Sequence, residues 1–337
     1  MSGGKMKMRK LYTVIANTLS NVNFEAIWKG FSICEFALYN QETVYFKDKT
    51  IPWDNRFIGN TAIEFEGDVI AIWSVESPET EDTDYLAAAI VHEMFHAFQK
   101  LQGETRYPND LKLLAYPDNI DNYQIKMVEN GFLAKALSEK DIIALKDFVS
   151  LRRVRTHLLD DVILQEFRAE TVEGMAEYAG LLALEQINKD KFKVSVENNL
   201  AKILRPTDLI FSPRRLSYYT GAILCLALKF LKVDFQHELN ENQTLFEIVS
   251  NIVGESYIDV SGYINKKKKM FDEFLDSHSE IFLCDSYICG YDPMNMIRFE
   301  NKILCNHFVV LGDEFIQGPV IVVLQKGSAN KAESYIK

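Results

Sequence analysis

Little in the sequence ties it to a secreted scaffold, a membrane or a nucleic acid. Its five cysteines, Cys34, Cys225, Cys284, Cys289 and Cys305, are odd in number and scattered. Only Cys284 and Cys289 lie close together, which makes neither a zinc ribbon nor a disulfide framework. Buried thiols in a reducing compartment are the expectation. No apolar run reaches transmembrane length. The basic start, Lys5, Lys7, Arg9 and Lys10, leads into Leu11 to Leu19, which Thr13, Asn17 and Thr18 make too polar for a signal-peptide core. Positive charge is scarce: the formal net charge is -11, so neither nucleic acid nor an anionic membrane is an expected partner. The densest basic cluster, Arg152, Arg153 and Arg155, stands beside acidic residues and reads as a solvated helix face. The expected location is the cytoplasm.

What is present suffices for a large core. The chain has 337 residues, 47% of them hydrophobic, room for one large or two modest domains. Residues 24 to 75 read as sheet, with hairpins at 36–39/43–46 and 61–65/69–75 around turn-like segments. A helix over about 84–100, capped by Thr83 or Asp84, follows the polar stretch around Pro78. It is apolar on almost every side and so belongs in a core. Residues 103 to 121 read as a long loop. Helices follow at about 122–137, 139–150 and 152–187, and, after a loop holding Pro206 and Pro213, at about 214–231. From residue 280 onward short β-rich runs return. Sheet, helices, then a small β tail make an α+β chain: residues 1–270 as one domain and 271–337 as a small β-rich region.

The central apolar helix carries His92-Glu93-Met94-Phe95-His96. Histidines at i and i+4 lie about 40° apart around a helix and point the same way, so His92 and His96 can offer two imidazoles to one metal ion. Glu93 projects from a neighbouring angle, within reach of a water on that ion. Burying three such residues unpaired in an apolar helix would be costly. Further on, Glu166, Glu170, Glu173 and Glu177 are spaced 4, 3 and 4 apart, within an arc of about 60°. Stacked carboxylates repel, and the apolar continuation of the stripe through Val162, Gly180 and Leu184 turns it towards protein, where a cation would relieve it.

Two of these segments, and a third, carry a resemblance. Val172-Glu173-Gly174-Met175-Ala176-Glu177-Tyr178 resembles the third-ligand helix of gluzincin zinc metallopeptidases, the thermolysin-like and aminopeptidase-N-like group. The resemblance implies Glu173 as third zinc ligand and Glu177 as the acid that hydrogen-bonds the far nitrogen of a zinc histidine. Tyr218-Tyr219-Thr220-Gly221 resembles the Tyr-x-x-Gly helix of the aminopeptidase-N-like enzymes, implying Tyr218 as oxyanion donor. Tyr178 and Tyr219 are weaker candidates for that role, and Tyr218 also reads as a core tyrosine. On the residues alone, Tyr218, Gly221, Ala222 and Cys225 share a face whose small members permit close packing. The resemblance covers three short segments. The long gap from His96 to Glu173 implies inserted helices, and the Gly-x-Met-Glu-Asn segment that grips a free amino terminus is missing. The strand before the zinc helix, Val69 to Val75, holds its place; in the group that strand is an edge pairing with extended substrate.

The expected function is a zinc metallopeptidase with a peptide or protein substrate and one zinc per chain. His92, His96 and Glu173 bind the ion, Glu93 is general base to a zinc-activated water, and Tyr218 stabilises the oxyanion. The alternatives are a catalytically inactive zincin-fold protein with a binding or regulatory role, and a zinc hydrolase of non-peptide substrates. His157 is a further candidate for transition-state contact, more often structural in such a setting; His237, His278 and His307 read as ordinary.

Overall fold

The computed structural model describes residues 2–76, 81–205, 208–236, 242–254 and 261–337, and side chains within these except at 2–7, 160, 261 and 263. Pro78, Pro206 and His237 lie outside the described residues. The chain divides into two compact units, residues 1–258 and 259–337. No helix among the described residues is long and apolar enough to cross a membrane.

The first unit opens with helix α1 (Ser2–Leu19), where the sequence reading assigned no element; it buries Met8, Ile15 and Leu19. A mixed five-stranded sheet follows: β1 (Phe36–Tyr39), β2 (Thr43–Phe46), β3 (Lys49–Pro52), β4 (Thr61–Phe65) and β5 (Asp68–Ser74), in the order β3-β2-β1-β5-β4. Both expected hairpins form, Tyr39 facing Val44 and Phe65 facing Asp68. The second turns through Glu66 and Gly67, both at positive φ, the twist a two-residue hairpin favours. β1 and β5 run parallel, which makes the sheet mixed. Side chains alternate strictly. Phe36, Leu38, Tyr45, Ala71 and Trp73 enter the main core, while Ala37, Tyr39, Val44, Phe46, Ile70 and Ile72 pack on Phe57 and Phe65 opposite. One expectation is corrected here. The strand before the helix of His92 and His96 is no edge: β5 is hydrogen-bonded to β1 on one side and β4 on the other, and β4 is the edge. Parallel pairing of β1 with β5 encloses it, a tertiary choice that local pattern does not contain.

Helix α2 (Thr83–Leu101) is the centre of the unit. Its cap is Asp82, one residue before the expected ones; the carboxylate accepts from the backbone N–H of Asp84 and Tyr85. Lys191 binds Asp82 and Asp84 at 2.6 and 2.8 Å, anchoring that end. Leu86, Ile90, Val91, Met94 and Phe95 are each at most 1% exposed. Burial contributes about 1.5–3 kcal/mol for each large side chain. Trp28 and Phe31 close edge-on upon Phe95 at 5.3 and 5.2 Å. The expected loop at 103–121 contains a short helix α3 (Asp110–Leu114). Helices α4 (Ile120–Ser138) and α5 (Ile142–Leu159) come next. The expected long helix through 187 is α6 (Ile163–Ala169), one π turn (Glu170–Gly174) and α7 (Met175–Ile187), set off from α5 by a 3-10 turn at Asp160–Val162. Then come α8 (Lys189–Leu204), α9 (Pro213–Phe230), opened by a proline in its first turn, and α10 (Leu245–Val253).

The second unit holds α11 (Ser261–Ser277) and a seven-stranded antiparallel sheet. Its strands are β6 (Ile281–Tyr291), β7 (Met296–Phe299), β8 (Lys302–Cys305), β9 (Phe308–Leu311), β10 (Glu314–Gln317), β11 (Val320–Leu324) and β12 (Lys331–Ile336). Their order is β10-β9-β6-β12-β11-β8-β7. Phe271 and Phe274 of α11 pack on Leu304, Ile321 and Ile336 of one face, and Cys305, Val320, Val322 and Leu324 form the other. That packing assigns α11 to the C-terminal unit, so the division falls before it rather than at residue 270. All five cysteines are free thiols; Cys225 and Cys305 are buried, whereas Cys289 is exposed, against the expectation of buried thiols throughout.

Candidate metal centre

Close helix contacts place the centre. A Cβ on Gly180 of α7 would stand 2.9 Å from the Ala88 carbonyl of α2, one turn before His92. A Cβ on Gly174 would stand 2.5 Å from Gly221 Cα, so α9 meets the π turn backbone to backbone. Gly221, one of the small residues that share a face on α9, is thus the one that lets it approach. The π turn, an i→i+5 widening often found at functional sites, carries both Glu170 and Glu173.

His92, His96 and Glu173 converge there, with ligand atoms within 4.8 Å of one another. His92 Nε2 and His96 Nε2 are 3.1 Å apart, and Glu173 Oε2 lies 3.2 Å from His96 Nε2 and 3.8 Å from His92 Nε2. Donors bound to one ion at 2.0–2.1 Å in a tetrahedron stand about 3.3 Å apart. The group can therefore hold a metal ion. Electrostatics within it are strong. Burial alone would depress the His92 imidazolium, but hydrogen bonds with Glu173 and Glu177 outweigh it and raise its pKa to about 10. Burial would raise the Glu173 carboxyl; His92 and His96 hold it below the usual carboxylate range instead.

Outer contacts orient each ligand. Glu177 Oε2 is 3.3 Å from His92 Nδ1. Gln99 Oε1 is 2.8 Å from His96 Nδ1, while Gln99 Nε2 donates to the Val172 carbonyl at 3.0 Å. With Nδ1–H of both rings donating outward, both Nε2 atoms face the centre. Tyr218 stacks over His92, ring centres 5.7 Å apart and planes 9° from parallel, and hydrogen-bonds Glu173. Burial, then the Glu173 charge, raise its pKa, so at neutral pH it is an O–H donor. One turn earlier on α9, Arg214 reaches Glu173 Oε1 at 2.7 Å and Asp110 at 3.0 Å. The sequence reading missed Gln99 and Arg214. Each was marked only by helical spacing: Gln99 is three residues beyond His96, and Arg214 four before Tyr218.

Glu93 is 7% exposed and lines, with His92, Tyr218, Trp73 and Tyr85, a cleft of about 620 Å³. Burial raises its carboxyl pKa, against the pull of the two histidines. The sequence candidates thus meet in one place: His92, Glu93, His96, Glu173, Glu177 and Tyr218. The remaining ones do not. Tyr178 is core, edge-on to Trp28 and Phe235. Tyr219 lines the cleft beneath Lys202, whose Nζ is 4.0 Å from the ring. His157 is exposed and lines a separate cavity with Arg153 and Glu247. His278 stacks on Phe274, and His307 pairs with Asp292 at 2.8 Å.

No family model, curated protein or solved structure matches the chain.

The acidic stripe divides on either side of the centre. Glu173 and Glu177 face the histidines; Glu166 and Glu170 face buried cations. Glu166 binds Lys126 at 2.5 Å and Arg155 at 2.6 Å, and accepts from the Tyr116 hydroxyl. Glu170 is gripped by both terminal nitrogens of Arg152 and by the Thr220 hydroxyl. Glu129 joins Arg152 at 2.7 Å and Arg155 at 2.9 Å. Three cations (Lys126, Arg152, Arg155) and three carboxylates (Glu129, Glu166, Glu170) sum to zero, each residue at most 3% exposed. This corrects the reading of the arginine cluster as solvated. Arg152 and Arg155 are among the most deeply buried side chains because the carboxylates of neighbouring helices neutralise them.

Proposed function

We propose that the chain is a zinc-dependent hydrolase acting on peptide bonds, with His92, His96 and Glu173 as the zinc ligands. One observation carries this reading: three nitrogen and oxygen donors converge at tetrahedral spacing beside a buried carboxylate, Glu93, in an open cleft. Two imidazoles and one carboxylate are a donor set that suits zinc with a position left open. Zinc bound there supplies Lewis acidity, polarising a carbonyl and making water a competent nucleophile near neutral pH.

The chain's own residues do the rest. Glu177 and Gln99 hold the two rings with Nε2 inward. Glu93, one residue after His92, accepts a proton from the attacking water and returns it to the leaving amine. A purely structural metal site has no use for that carboxylate. Tyr218 donates its hydroxyl proton in a hydrogen bond to the oxygen on which negative charge develops. The peptide substrate is favoured by edge strand β4, whose outer side has no partner strand among the described residues and can take an extended chain.

The test combines metal analysis with turnover. Wild type should carry about one zinc per chain and cleave a peptide library. Glu93→Gln should keep the zinc and lose nearly all turnover; His96→Ala should lose the zinc. A Glu93→Gln protein as active as wild type refutes the mechanism. Zinc in the wild type with no cleavage of any peptide turns the reading to a binding protein.

A further inference from the structure

We propose that Arg214 is a positioning residue that makes Glu173 a single-oxygen ligand. It rests on the metal reading above. The two oxygens of Glu173 are differently engaged: Oε2 faces the histidine pair, 3.2 Å from His96 Nε2, whereas Oε1 is held by Arg214 at 2.7 Å. A carboxylate can meet an ion through one oxygen or both. Through one, it leaves a coordination position free, as catalytic chemistry requires. Through both, it adds a second oxygen beside that position, raises the neighbour count by one and crowds it. Which occurs depends on whether the second oxygen has a better partner.

The structure gives it one. Arg214 presents its planar fork, one terminal nitrogen to Glu173 and the other to Asp110 at 3.0 Å, so the guanidinium is fixed from two sides. This is no ordinary surface pair. Such pairs contribute little because solvent screens both partners, yet the Glu173 side chain is only 7% exposed. An oxygen so buried needs a donor. The α9 backbone, seated against the π turn at Gly221, delivers Tyr218 and Arg214 to the same carboxylate from successive turns. The Arg214 side chain itself is 37% exposed, so its removal opens no core cavity.

The experiment is zinc X-ray absorption on the loaded full chain, beside visible absorption of the cobalt(II) form. Wild type should show about four nitrogen and oxygen neighbours. Arg214→Met should show about five as Oε1 turns to the ion, and its cobalt form should lose visible intensity severalfold. Arg214→Lys, which keeps a cationic donor for Oε1, should restore the wild-type spectrum. Arg214→Ala is the second test variant should the Met protein fail to fold. An unchanged neighbour count in Arg214→Met or Arg214→Ala overturns the proposal while leaving the zinc reading intact, as does a five-neighbour wild type. A wild type that takes up no zinc overturns the zinc reading and this role with it.

Discussion

Replacing Arg155 with methionine tests the buried charge cluster most directly. Arg155 is 1% exposed and contacts Glu129 at 2.9 Å, Glu166 at 2.6 Å, Tyr116 at 2.9 Å and Asn122 at 2.7 Å. Methionine fills similar space but leaves two cations against three carboxylates, hence one uncompensated buried negative charge. Breaking a buried pair in this way costs about 3–5 kcal/mol, a large share of the roughly 5–15 kcal/mol that holds a domain folded. For a unit of this size the melting temperature should fall by roughly 10 °C. Glu166→Gln should cost a comparable amount by leaving the opposite excess. The double variant restores neutrality, so its loss should fall short of the sum by about 0.5–3 kcal/mol. The assay is urea unfolding of all four proteins with a strong chelator present, so that metal binding adds nothing. A loss below about 1 kcal/mol for Arg155→Met, or strict additivity in the cycle, refutes the claim that the cluster is desolvated and mutually neutralising.

Two other outcomes follow from the same geometry. Gln99→Leu keeps the volume but removes the acceptor on His96 Nδ1, and should weaken zinc binding about 10–100-fold in competition with a chromogenic chelator; unchanged affinity means Gln99 does not orient the ring. Burial would raise Glu129 and Glu166, but Arg155 and Lys126 reverse it and hold both below the ordinary value of 4.5. The unfolded chain therefore takes up protons first as pH falls, so the cluster's stabilisation is complete above about 4.5 and is lost progressively below it. Thermal melts of chelated protein should decline from that point downward, and a flat profile to about pH 3 contradicts the assignment.

The centre was legible in the sequence where its geometry repeats with the helix. His92 and His96 are one turn apart on a helix too apolar to be solvated, and Glu173 and Glu177 are one turn apart on another. Gln99 and Arg214 were marked only by their helical spacing from His96 and Tyr218, which many polar residues share; only packing shows what each meets. The charge cluster was hidden for a related reason. Its members come from α4, α5, α6 and the π turn; only Glu166 and Glu170 lie on a stripe that the sequence turns towards protein, and each of the others alone looks like a solvated side chain. The hairpins were readable from alternation, but the enclosure of β5 was not, since parallel pairing joins strands separated in the chain by three others. Helices α1 and α8 carry too many polar residues to announce a buried face.

The charge cluster also governs how this chain can diverge. A surface lysine can become serine in one step with little effect. None of Lys126, Glu129, Arg152, Arg155, Glu166 and Glu170 has that freedom, because the first change strands a charge and only a second, matching change relieves it. These six positions should therefore drift as a block, replaced in compensating pairs or kept whole. In distant descendants whose surfaces share nothing else, that block, together with the two histidines and their glutamates, is the trace by which descent would be recognised.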